Sequence, residues 1–215
     1  LKNRKLLAGP YLFWSVSFII IPLLMIFYYG LTDKEGTFTW SNIAIMASPE
    51  NLKALGLALL LSLVSTLTCL VLAYPLAMIL SEKNMNQTSL IVLIFILPMW
   101  MNFLIRTYSW MTILGDSGVI NTILNALGIH SLKLINNGAA VILGMVYNFL
   151  PYMILPIFSV LTKLDNSLVE AAQDLGSNKF EVMKKVIIPL SKPGILSGIT
   201  MVFVPCVSTF YITQK

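Results

Sequence analysis

Long apolar runs alternate with short polar connections along the whole of this 215-residue chain. The runs cover residues 6–31, 52–80, 90–114, 138–161 and 194–212, and each is long enough for a bilayer, which takes roughly 20 residues per helix. Prolines fall inside them: Pro10 and Pro22 in the first, Pro75 in the second, Pro98 in the third, Pro151 and Pro156 in the fourth. Tyr11, Trp14, Tyr28 and Tyr29 lie near the two ends of the first run, where aromatic belts sit. The pattern predicts an all-α polytopic membrane protein, with residues 1–215 forming one transmembrane domain of at least five helices. The first run is too long for a signal-peptide core and has no Ala-x-Ala-like exit, so it is expected to be retained as a span.

One polar island breaks this rhythm. Residues 163–193 lie between the fourth and fifth runs, and from Asp165 to Pro193 they hold four acidic and four basic residues in a chain that is only 11% charged. Ser167 followed by Glu170 reads as a capping box; Leu168, Ala171, Ala172 and Leu175 then share one helical face, and Gly176 supplies the stop. Asn178 caps a second short helix with Phe180, Met183 and Ile187 on its apolar face. Pro189 and Pro193 are expected to prevent a smooth continuation into the next span. From capping and charge alone, this is either a loop with work to do outside the bilayer or an amphipathic loop resting on the membrane surface.

Composition narrows the class further. Hydrophobic residues make up 57% of the chain and mean hydropathy is +0.85, above the roughly 45–50% apolar content of soluble domains. The net charge of +5 is better read as topology than as nucleic-acid affinity, because the basic residues sit at span ends and in loops. With the N-terminus inside, the cytoplasmic segments collect nine: Lys2, Arg4, Lys5, Lys83, Lys163, Lys179, Lys184, Lys185 and Lys192. The outer side has five: Lys34, Lys53, Arg106, Lys133 and Lys215. The excess places the N-terminus and the polar island in the cytoplasm of a cell bounded by this membrane.

Soluble chemistry is sparse. Cys69 and Cys206 both lie within apolar runs without metal-ligand spacing, so no disulfide is expected. His130 is the only histidine and has no second ligand nearby, so no metal site is expected. There is no phosphate-binding Gly-Lys-Ser/Thr loop and no nucleophile with its base, so no cofactor and no enzymatic activity are expected of this chain.

Glu170-Ala171-Ala172, then Gly176, then Val186-Ile187-Ile188-Pro189 resembles the EAA loop of the permease subunits of binding-protein-dependent ABC importers. Val186 stands where the family usually has isoleucine, and Ile188 where it has leucine. The resemblance implies the MetI-like type I importer fold, with this loop as the coupling helix that docks into an ATPase subunit. Glu170, Ala171, Ala172, Gly176, Leu168, Leu175, Phe180 and Pro189 would then be the coupling residues. It also implies a cytoplasmic ABC ATPase dimer, a second permease subunit, an extracytoplasmic solute-binding protein and membrane lipid as partners. Permeases of this family usually finish inside after a further span, so a chain lacking a C-terminal helix is expected, a five-span protein being the alternative.

A second stretch is more selective. Ile105-Arg106-Thr107-Tyr108-Ser109-Trp110, followed by Gly118-Val119-Ile120-Asn121 and Leu127-Gly128, is similar to the spermidine/putrescine permeases within that family. Related permeases for iron, thiamine and anions share parts of the pattern. The polyamine resemblance implies that the second membrane subunit is a different chain.

A polyamine path should offer acceptors or aromatic faces and avoid fixed positive charge. No Asp or Glu lies deep in any run. The candidates are Trp100, Asn102, Tyr108 and Trp110 in the third run, Tyr147 and Asn148 in the fourth, and Ser208 and Tyr211 in the fifth. Interface belting and interhelical hydrogen bonding account for such residues equally well. Arg106 would repel a cation, so a structural pairing near the outer surface is expected of it. A secondary carrier would show ionisable groups at mid-membrane for ion coupling, whereas an ATP-driven importer does not need them.

Overall fold

The computed structural model describes residues 9–33, 35–81, 85–135 and 137–213, with backbone alone for 85–92 and 210–213. Lys2, Arg4, Lys5, Lys34, Lys83 and Lys215 of the charge count lie outside the described residues. The chain divides into two compact units, residues 1–56 and 57–215.

In the first unit, α1 (Gly9–Gly30) is predominantly apolar and long enough to cross a membrane. Pro22 does not break it. A π-helical turn at Val16–Ile20 precedes the proline, and the Ile21 N–H reaches back five residues to the Val16 carbonyl. Widening the turn in this way accommodates a residue that has no N–H and whose ring would crowd the carbonyl four residues back. After α1 the chain makes a short bridge between Thr32 and Phe38. Asn42, in α2 (Ser41–Met46), ties this turn down by donating to the carbonyls of Tyr29 and Thr32.

The long helix α3 (Pro49–Ser81) runs from the first unit into the second. Within the second unit it turns a face of small residues inward: Ala58, Ser62, Ser65, Cys69, Ala73 and Ala77 are buried at helical spacing. Small side chains let helix backbones approach where lipid offers no hydrophobic drive for association. The same logic governs the pairing of α7 (Gly138–Leu161) with α10 (Ile188–Thr213). A Cβ on Gly194 would stand 2.9 Å from the Pro156 carbonyl oxygen, and one on Gly198 would stand 2.6 Å from the Met153 sulfur. Met153, Ile154, Ile157, Val202, Cys69 and Cys206 form the sealed centre of this core. Tyr74 on α3 shares a 3.0 Å hydrogen bond with the buried Ser191 of α10.

Two expectations about the spans change. The run 90–114 is two helices, α4 (Met85–Trp100) and α5 (Phe103–Leu114). Asn102 breaks it by leaving helical geometry and accepting the Leu104 N–H at 2.8 Å as an N-cap. At 1.5 Å per residue, the 16 residues of α4 fall short of a hydrocarbon core of about 30 Å. The other four runs contain helices of membrane-crossing length and hydropathy.

The second change concerns Pro189 and Pro193, which do not interrupt the entry to the last span. A short helix α9 (Lys179–Val182) passes through a π-helical turn at Met183–Ile187 into α10, giving one apolar helix over Lys179–Thr209. The physical reason is the device already used at Pro22: the Ile188 N–H bonds to the Met183 carbonyl five residues back, and the proline follows immediately.

Candidate coupling loop and transport pocket

Between α7 and α9 lies α8 (Asn166–Asp174). It does not start as expected. Asp165, not Ser167, is the N-cap, its carboxylate accepting the Ser167 N–H at 3.0 Å. Glu170 is therefore not the acidic half of a capping box. That motif exists one helix later: Asn178 accepts the Glu181 N–H at 2.9 Å, and Glu181 accepts the Asn178 N–H at 3.3 Å. An aspartate two residues ahead of the serine was the missed signal, since aspartate caps at least as well as serine.

The end of α8 behaves as Gly176 implied. Gly176 has φ +83°, its N–H bonds to Gln173, and the Ser177 N–H bonds back to Ala172. These two bonds form a Schellman turn, which needs a left-handed residue at this place. A Cβ on Gly176 would meet nothing within 4 Å, so only the backbone angle demands glycine.

The loop displays apolar side chains outward. Leu175 is 87% exposed and Phe180 65%, with Leu168, Ala171 and Glu170 exposed beside them and Pro189 exposed further on. Ala172 is half-buried. The second helix holds on by Val182, which is buried, with Met183 and Ile187 half-buried, while Phe180 points out. Glu181 and Lys185 form an exposed ion pair at 3.1 Å. The Lys185 hydrogen bond and the Asn178 N–H hold the Glu181 carboxyl below the usual carboxylate range. The Ser167 N–H does the same for Asp165.

On a different face of the second unit, α5 and α7, with Thr209 of α10, border a half-open cavity of about 260 Å³. Phe103, Thr107, Trp110, Gly144, Met145 and Asn148 line it, with Met111, Leu114, Val141 and Thr209 among its further wall. Trp110 and Tyr147 meet edge to face with centroids 5.2 Å apart. Asn148 is 6% exposed; its amide N–H donates to the Gly144 carbonyl at 2.9 Å, while its Oδ1 is buried without a hydrogen-bond partner.

Of the path candidates, the structure thus brings together Trp110, Tyr147 and Asn148. Trp100 and Tyr108 are exposed and do not line the cavity, Asn102 is a helix cap, and Ser208 is exposed and bonds to the Val204 carbonyl of its own helix. The side chain of Tyr211 lies outside the described residues. Thr107 and Met145 also line the cavity, and composition does not mark them; Thr107 sits inside the Arg106–Trp110 core, the one signal that points to it. Arg106 is 7% exposed, and its Nε and Nη1 have no hydrogen-bond partner among the described residues, so the expected structural pairing is not formed there.

The Gly118–Asn121 motif has a structural account. A Cβ on Gly118 would fall 2.5 Å from the carbonyl oxygens of both Thr112 and Ile113, so only glycine lets the chain fold back over the end of α5. Asn121, fully buried in α6 (Val119–Ala126), then clamps the following loop by donating to the Gly115 and Leu132 carbonyls and accepting the Leu132 N–H.

Comparison with known proteins agrees with this architecture. Residues 6–214 match the family described as binding-protein-dependent transport system inner membrane component. A Haemophilus influenzae protein named spermidine/putrescine transport system permease protein PotB is 35% identical over 221 residues, covering 99% of this chain and 77% of that protein. The Escherichia coli K12 protein of the same name is also 35% identical, over 94% of this chain and 76% of its own length. A Mycoplasma pneumoniae homologue of PotB is 31% identical over the whole of this chain and 74% of its own. Among solved structures, a bacterial ABC transporter involved in the import of the acidic polysaccharide alginate superposes with a TM-score of 0.74 at 19% identity, over 90% of this chain and 70% of that one, which speaks to fold alone. With a family match spanning nearly all its residues and several apolar helices of membrane-crossing length, the chain belongs to the inner-membrane permease components of binding-protein-dependent ABC importers.

Proposed function

We propose that this chain is the membrane-spanning permease subunit of an ATP-driven polyamine importer, coupled to a separate cytoplasmic ATPase dimer through residues 163–193. The observation that carries the coupling role is the loop itself: two capped short helices that leave Leu168, Leu175 and Phe180 exposed beside the small Ala171. An exposed apolar cluster on a segment made of charged residues fits a surface that another protein covers. The polyamine substrate rests on the relatives named for spermidine and putrescine and on a cavity whose lining carries no carboxylate or fixed cation. A second, different permease chain and an external solute-binding protein complete the assembly in this reading. The excess of basic residues on the loop side supports a cytoplasmic N-terminus.

The deciding experiment is to purify the assembly, reconstitute it with its binding protein, and measure uptake of spermidine and putrescine together with ATP hydrolysis. Polyamine-stimulated hydrolysis and uptake are expected; stimulation by a different solute alone would replace the polyamine reading and leave the permease role standing. Orientation is checked separately. A cysteine at Asn178 should react with impermeant reagents only after the cytoplasmic face is opened, and one at Asn125 should react in intact cells; the reverse pattern removes the orientation and the coupling assignment together.

A further inference from the structure

Asn148, in the wall of the cavity between α5 and α7, carries a polar group with nothing to bind. The Asn148 amide is fixed by its donation to the Gly144 carbonyl. The opposite amide orientation would set two oxygens against each other, so the group left over is an acceptor. Its Oδ1 is buried and unpartnered. One turn further along α7, Pro151 has no N–H to offer the Tyr147 carbonyl, its ordinary partner four residues back. Two acceptors short of their usual donors therefore lie on one turn of a membrane helix, beside the Trp110–Tyr147 aromatic pair. An unsatisfied buried acceptor is costly in an apolar wall and calls for a donor.

We propose that this cavity is a transit subsite for one alkylammonium group of the solute. The Asn148 Oδ1 accepts its hydrogen bond, the Trp110 ring supplies a cation–π face, and Met111, Leu114, Val141 and Met145 cover the adjoining methylenes. The proposal rests on the polyamine reading above and deepens it. Size agrees: about 260 Å³ lies just under the 300–1,000 Å³ of sites that take a whole small molecule, so it admits one end of an elongated solute. Charge agrees as well. No ionisable side chain lines the cavity, and Arg106, next to Thr107 on α5, is not part of the lining. A neutral acceptor near a buried cation holds an ammonium weakly, and a site on a path must let go. Oδ1 is sealed from water in this structure, so a donor reaches it as α5 and α7 part, the kind of gating motion alternating access uses.

The test uses the full complex in proteoliposomes, with saturating solute-loaded binding protein, reading maximal uptake and stimulated ATP hydrolysis side by side. Asn148→Leu should lower maximal polyamine uptake roughly 10- to 100-fold, the scale of one hydrogen bond to a charged group, while hydrolysis stays stimulated. Asn148→Asp keeps an acceptor and should retain uptake. Trp110→Leu should lose uptake that Trp110→Phe keeps. If Asn148→Leu fails to assemble, the two Trp110 variants decide. Wild-type uptake in Asn148→Leu, or in Trp110→Leu, overturns the subsite; a wild-type complex that imports no polyamine overturns the polyamine reading instead.

Discussion

The coupling loop and the α5–α7 cavity are inverted images of each other. The loop is polar in composition yet turns Leu175 and Phe180 out to water; the cavity is apolar in composition yet keeps the Asn148 amide oxygen inside without a partner. In the proposed reading the first takes an apolar cover and the second a polar visitor. They are also held together differently. The loop is made of bonds between residues at most five apart, Asp165 to Ser167, Ser177 to Ala172, Asn178 to Glu181. The cavity lies between α5 and α7, helices distant in sequence, within a bundle in which α7 also meets α10 closely at Gly194 and Gly198. Damage to the first should disconnect the machine without unfolding it, whereas damage to the second should loosen the bundle.

The largest effect is expected at the bundle. In Gly194→Ala the new Cβ meets a backbone oxygen at 2.9 Å, and a further backbone atom, the Ile157 Cα, stands at 3.2 Å. Backbone cannot swing aside, so overpacking of about 1–3 kcal/mol is expected. Gly198→Ala meets the Met153 sulfur at 2.6 Å, an atom of an unbranched side chain, with the nearest backbone atom, the Met153 carbonyl oxygen, farther off at 3.3 Å, and should cost less. Thermal unfolding of the purified complex should rank the two variants in that order. Equal melting of both would mean that α7 and α10 are not locked at Pro156.

Next comes the loop. Gly176→Val places a β-branched residue at φ +83° where a Cβ touches nothing, so the penalty is backbone strain alone, about 1 kcal/mol or more. The melting point should barely move while stimulated ATP hydrolysis falls, because the Schellman turn aims α9 relative to α8. Glu170→Lys sharpens the point. Glu170 has no hydrogen-bonding partner among the described residues, so its reversal alters only the charge offered to a partner. Glu181→Lys instead destroys a cap and an ion pair within the chain. Lost coupling in Glu170→Lys with an intact fold supports contact with the ATPase; full coupling in Glu170→Lys and Gly176→Val reduces the loop to a solvated connection.

The contrast also explains what could be foreseen. Four of the five runs were legible as helices of membrane-crossing length, because such a helix announces itself by length and hydropathy, and Gly176 and Asn178 because turns and caps are local chemistry. The break at Asn102 was hidden by an apolar surround, although asparagine is a strong cap. The π-turns before Pro22 and Pro189 were not legible, since a proline alone says that a bond is missing and not whether the helix will widen to absorb the loss. The cavity was half visible: aromatic and amide residues marked α5 and α7, but which of them meet depends on how two helices distant in sequence pack, which no local pattern shows. Val182 was not legible as the buried residue of α9, because a short amphipathic helix with two apolar sides can bury either.

The smallest effect expected is that of pH, and its sign follows from the two carboxylates. Glu181 is held below its ordinary range first by the Lys185 hydrogen bond and then by the Asn178 N–H, and Asp165 by the Ser167 N–H. A carboxyl whose folded value is depressed stabilises the fold fully above its unfolded value, about 4, and loses that contribution as pH falls through the folded value. The loop should therefore be unchanged between pH 7 and about 5 and should loosen only below about 4. Deuterium uptake by amides 165–182, corrected for the intrinsic pH dependence of exchange, would report it. In Glu181→Gln the capping acceptor remains but the titration is gone, so the acid-induced loosening of α9 should flatten while that at Asp165 persists. Asn178→Ala should loosen α9 by about 1 kcal/mol at every pH. Loosening that instead begins between pH 6 and 7 would contradict this assignment, because neither depressed carboxylate titrates there.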